Sequence, residues 1–178
     1  MSFPAEAPAD PHPVARRLAS VVPRLLAVQP EAVTGTTTDT INQALEQVAE
    51  ALLSWHDAMF GGPLPQLTLA DEIDPEDGFR PLGSAPPDCT GLSAAGYDLR
   101  RIGRLLQGIV DDLGDESLRM IGQRLTDMVE ALASALSKHA EDLRGLVPGG
   151  SAPADTRAAR VARAERILQR QVLAILRA

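Results

Sequence analysis

Apolar residues recur along this sequence at alternating steps of four and three, and that spacing constrains the fold more than any other feature. From Ile41 the series runs through Leu45, Val48, Leu52, Trp55 and Met59, with gaps of four, three, four, three and four. An α-helix turns once every 3.6 residues, so all six side chains fall on one seam. A half-buried strand would alternate with a period of two instead. Two further series share the rhythm. Leu99, Ile102, Leu106, Ile109 and Leu113 form one; Leu118, Ile121, Leu125, Met128, Leu132, Ala135, His139, Leu143 and Leu146 form the other. The expected fold is all-α, an up-down bundle of about four helices with a long antiparallel hairpin, followed by a tethered C-terminal amphipathic helix.

Local signals set the boundaries. Thr40 with Gln43 fits a capping box for the Ile41 helix, with Asp39 as a rival cap, and Gly61 and Gly62 stop it. Ser93 opens the next helix, Gly114 closes it, and Asp115 caps a helix of about thirty residues. With so short a connection the two seams bury each other best as a hairpin. Upstream, Val14, Leu18, Val21, Val22, Leu25 and Leu26 mark a first helix. Pro23 inside it predicts a kink, or two pieces joined near Ser20, because proline removes a hydrogen bond and clashes with the preceding turn. Gln29, Pro30 and the run Thr34 to Thr38 end the element.

The organisation that follows is a flexible N-terminus over 1–13, a helical body over 14–146, a linker over 147–155 and a final helix over 156–178 with Asp155 as its cap. Inside the body, 61–91 is an acidic Pro/Gly-rich loop without periodicity, and loops of that length are functional or disordered. The linker carries Pro148, Gly149, Gly150 and Pro153, a composition suited to a tether. On the final helix Val161, Ala164, Leu168, Val172, Ile175 and Leu176 share one face, and Arg163, Arg166, Arg170 and Arg177 share the other. Ile167 and Leu173 break the pattern.

Charge divides the chain in the same place. Residues 1–150 carry a balance of −11 and residues 151–178 a balance of +4, together the net −7 of the whole. A basic amphipathic arm on an acidic body is the strongest asymmetry in the sequence. Such an arm has four destinations. It can lie in a partner's groove, close onto its own or a second bundle, rest on an anionic membrane surface, or contact nucleic-acid phosphates. The acidic body opposes nucleic acid, and the arm lacks the Trp or Phe that would anchor it at a lipid interface. Only five aromatics occur in the chain, too few for a base-stacking platform.

Catalytic and metal chemistry find little purchase. Glu46 and Glu50 on one helix, with Glu130 and His139 on another, lack the Glu-x-x-His element of carboxylate-bridged sites. The run Asp71 to Asp77 before Gly78 fails the calcium-loop register, since Ile73 and Pro75 fall where oxygen ligands belong. Cys89 has an acidic neighbour in Asp88 and no nearby His to activate it, and as the single cysteine it makes no internal disulfide. No nucleophile elbow or phosphate-binding loop is present. No metal or cofactor is expected, and enzymatic activity is disfavoured. His139 stands out as an imidazole on a seam of Leu, Ala, Met and Ile. A ligand contact, or a pH-dependent latch or switch near its unperturbed pKa of about 6.5, is one reading. The favoured one places it where the hairpin frays, hydrogen-bonded to a neighbour or to water.

A terminal amphipathic helix on a tether, residues 147–178, is similar in design to the encapsulation peptides of bacterial microcompartment cargo, a class defined by pattern. The body resembles no family, and no site is carried over. The expected function is a non-enzymatic protein–protein interaction module, an adaptor or scaffold component. Its expected contacts are Val161, Leu168, Val172, Ile175, Arg163, Arg166, Arg170 and Arg177, and its partner is another protein or a second copy of itself. One alternative is a ligand-binding or catalytic bundle with a pocket near Trp55, His56 and His139; another is association with an anionic membrane surface. The N-terminus has no secretory pattern and no stretch is long enough to span a bilayer, so a cytoplasmic setting is expected.

Overall fold

The computed structural model describes residues 13–30, 32, 34–65, 91–145 and 154–177, and among them the chain is all-helical. Five helices follow in order: α1 Pro13–Leu26, α2 Gly35–Phe60, α3 Leu92–Asp111, α4 Glu116–Gly145 and α5 Ala154–Arg177. The N-terminal segment, most of the acidic loop and the linker lie outside the described residues, as do His12, Asp71 to Asp77 and Cys89.

The hairpin is α3 and α4, and small residues let it close. A side chain at Gly96 would strike Ser137 and Ala133, and one at Gly103 would meet Glu130. These pairs fix an antiparallel register, reinforced by a reciprocal amide pair in which Gln107 and Gln123 each donate to the other at 3.1 Å. Asp115 caps α4 as expected: its carboxylate accepts the N–H of Leu118 at 3.0 Å. Gly61 follows α2 with φ 64° and donates to the Asp57 carbonyl at 2.8 Å, where a residue with a Cβ would be strained.

α2 runs antiparallel to α4. Its C-terminal Trp55 donates from Nε1 to the Leu118 carbonyl near the start of α4, at 3.1 Å. α1 packs against α2 and α3 and is held by an ion pair between Arg17 and Asp112. It is one continuous helix through Pro23, not two pieces meeting at Ser20. Seven buried residues, from Val14 to Leu25, seat it, and that burial outweighs the single hydrogen bond proline removes.

Three other expectations change. α2 starts at Gly35, five residues before the Thr40 capping box, so the threonine run is its first turn. On α4 the core face is turned partly away from the drawn seam: Leu125 and Leu132 are buried as expected, joined by Val129, Ala133 and Leu136, while Ile121 is exposed; His139, expected where the hairpin frays, is buried too. α5 begins at Ala154, so Asp155 falls within its first turn.

Candidate interaction site

α5 lies on the groove between α2 and α4. Its apolar face supplies this contact. Leu168 and Val172 are 1% and 0% exposed and belong to the core, with Ile175 and Leu176 packed against it and Val161 half-buried. Each fully buried aliphatic side chain contributes about 1.5–3 kcal/mol. Leu168, Val172 and Ile175, expected to meet a partner, therefore meet the chain's own body, while Val161 is half-buried.

The seat is also polar. Glu165, 2% exposed, reaches the start of α2 and accepts the Thr34 N–H at 3.1 Å and the Thr37 hydroxyl at 3.0 Å, along with the Thr34 hydroxyl. Gln169 donates to Thr37 Oγ1 at 2.9 Å. The first N–H groups of a helix lack internal acceptors and its N-terminus carries partial positive charge, so a carboxylate is well placed there. No sequence signal identified this contact, because Glu165 looks like one more charge on an amphipathic helix and its partner is 131 residues away.

A cavity of 220 Å³ opens between α4 and α5, lined by Lys138, His139, Asp142, Ala164, Ile167, Leu168 and Gln171. His139 is 4% exposed, and its Nε2 has no hydrogen-bond partner among the described residues. Burial holds its pKa below the usual value, while Glu165 and Asp142 pull the other way.

Among the described residues, Trp55, His56 and His139 are not brought together into one pocket. Trp55 packs at Leu118 and Gly122. His139 lies 17 residues beyond Gly122 on the same helix, about 25 Å at 1.5 Å per residue. His56 is buried against Phe60, with ring centroids 5.2 Å apart. The heptad rhythm put these residues on facing seams but said nothing about their height along the bundle. Among the described residues no group of three or more His, Cys, Asp or Glu is placed to hold a metal, and no helix is long and apolar enough to cross a membrane.

The outward face of α5 remains. Arg163, Arg166, Arg170 and Arg177 are all exposed, within about 60° on a helical wheel. Ile167 and Leu173, at 47% and 43% exposure, edge this strip on either side. The two residues that broke the amphipathic pattern thus belong to a second, basic and partly apolar face. Comparison with protein-family models, curated proteins and solved structures finds no match.

Proposed function

We propose that this chain is a non-enzymatic protein–protein interaction module, an adaptor or scaffold component of the cytoplasm, whose contact surface is the outward face of α5. The observation that carries the reading is the exposed strip Arg163, Arg166, Arg170 and Arg177, edged by Ile167 and Leu173, on a chain of net charge −7. None of the four guanidinium groups makes an ion pair among the described residues. Arginine with a few exposed aliphatic neighbours suits recognition of an acidic protein surface, since its planar fork pairs with carboxylates in two places. The inner apolar face takes no part, because it is the seat of α5. That occupancy also weighs against the membrane alternative, which needs an apolar face to insert.

Deleting the helix is a poor test, since it would uncover the core. A better one places a photoreactive side chain at Ile167 of the full-length protein, with Leu26 on α1 as the control position, in the cell that expresses it. Protein adducts from position 167 that disappear when Arg166 and Arg170 are changed to Glu are expected. Their absence, or their indifference to those changes, would overturn the proposal.

A further inference from the structure

The outward face of α2 is a counterpart to that of α5. α2 contains no Lys or Arg. Its exposed charges Asp39, Glu46, Glu50 and Asp57 fall within about 40° on a helical wheel, with Leu53 beside them at 42% exposure. On α5, every exposed charged residue from Arg160 to Arg177 is arginine, because the one acid in that stretch, Glu165, is buried.

The match extends to spacing. Glu46, Glu50, Leu53 and Asp57 follow one another at steps of four, three and four. Arg166, Arg170, Leu173 and Arg177 do the same, each 120 positions after its counterpart. Laid parallel, the two faces set Arg166 against Glu46, Arg170 against Glu50, Leu173 against Leu53 and Arg177 against Asp57. Laid antiparallel, each leucine would face a charge. Spacing by fours and threes keeps such a strip in line between two parallel helices, as in coiled coils.

The two strips cannot meet within one chain. α5 already touches its own α2 through its opposite side, where Glu165 and Gln169 hold Thr34 and Thr37. The arginine strip therefore points away from the α2 beneath it.

We propose that the outward face of α5 docks on the outward face of α2 in a second copy of this chain, in parallel and in the register Arg166–Glu46, Arg170–Glu50, Leu173–Leu53 and Arg177–Asp57. The inference rests on the reading of α5 as an interaction helix and names its partner. The interface joins two different patches, so it propagates head to tail unless the rotation between copies closes it. The net charge of −7 on each copy opposes approach at long range, leaving attraction to the local pairing, which salt screens over about 10 Å at 0.1 M and about 3 Å at 1 M.

Sedimentation equilibrium of the full chain tests this. At about 0.1 M salt the mass should exceed 18.9 kDa and rise with concentration, returning to 18.9 kDa near 1 M. A protein with Arg166→Glu and Arg170→Glu should be monomeric, and so should one with Glu46→Arg and Glu50→Arg; all four side chains are exposed, and circular dichroism checks that folding is unchanged. Mixing the two variants should restore association, because each then offers the face the other needs. A wild-type monomer at all concentrations, an oligomer indifferent to both reversals, or a mixture that stays monomeric would each overturn the proposal. An adduct from Ile167 to a different protein, with this chain monomeric, would sink self-association and leave the interaction module standing. No protein adduct of any kind would sink both.

Discussion

Glu165 of α5 caps Thr34 of α2, accepting its backbone N–H at 3.1 Å across 131 residues of sequence. Thr34 makes no side-chain cap bond of its own, so the start of α2 is completed by the last helix of the chain. The carboxylate is buried and bonded to several donors. Removing it strands those donors and one end of the α5 seat. Hydrogen bonds to charged groups are worth about 1.5–3 kcal/mol, and Glu165→Ala should cost about that much. Hydrogen exchange should then quicken in two places together, residues 34–40 and α5. Unchanged protection over 34–40 would show that α2 holds its first turn unaided.

His139 makes stability depend on pH. Burial lowers its pKa from the ordinary 6.5, and Glu165 and Asp142 only partly offset this. Lys138 is the remaining charged side chain on the same cavity. The folded chain therefore keeps the imidazole neutral where the unfolded chain takes up a proton. This stability is fully present above about pH 6.5 and is lost as pH falls toward the lowered folded value. The urea midpoint should fall between pH 7.5 and 5.5, and fall less in His139→Leu. Equal slopes in the two proteins would exclude the imidazole as the source.

The helices themselves were legible in the sequence because their signals are local. Seams at Ile41 to Trp55 and Leu99 to Ile109 need only a repeat, and Asp115 and Gly61 act within one turn of where they stand. Contacts between distant segments were not legible. The first turn of α2 looked like a loop because Thr36, Thr37 and Thr38 are indifferent helix formers, and what settles them is Glu165. Ile121 sits on the seam that carries Leu125 and Leu132 yet is 45% exposed, which no repeat within α4 foretells. The face separation on α5 was plain, but which face would be seated depended on a groove that only the assembled bundle presents. The strip of arginines could be read residue by residue, while its match in spacing to Glu46, Glu50, Leu53 and Asp57 gains meaning only once both faces are known to point outward.

Asp98 on α3 is a buried acid that works against the fold. It is 8% exposed, and its Oδ1 has no partner among the described residues. Burial raises its pKa, with Arg101 opposing the rise. A raised folded value means that the stability of this group is present below its unfolded pKa, about 3.9, and is lost as pH rises through the folded one. At pH 7, where the unfolded carboxyl is ionised, burying this group is therefore a net cost. Asp98→Asn, a neutral group of the same shape, should raise the melting temperature at pH 7, with each kcal/mol recovered worth roughly 2–4 °C in a chain of this size. At pH 4 the gain should shrink. A melting temperature that drops at pH 7 would mean the carboxylate is used.

Gly122 on α4 faces Trp55, and here packing opposes helix propensity. Replacing glycine with alanine in a helix interior is worth about 0.8–1 kcal/mol on propensity alone, so Gly122→Ala would stabilise α4 if nothing stood beside it. A Cβ at this position would lie 2.6 Å from Trp55 Cη2 and 2.8 Å from Val110 Cγ2. Both distances are well inside van der Waals contact. The indole cannot simply swing away, because its Nε1 is tied to the Leu118 carbonyl at 3.1 Å and the ring is 2% exposed. Overpacking costs typically about 1–3 kcal/mol, which exceeds the propensity gain over most of that range. Gly122→Ala should lower the urea midpoint, and because Trp55 is the sole tryptophan, its fluorescence should shift as the ring is displaced. A variant more stable than wild type, with unchanged emission, would show that α4 gives way without moving the ring.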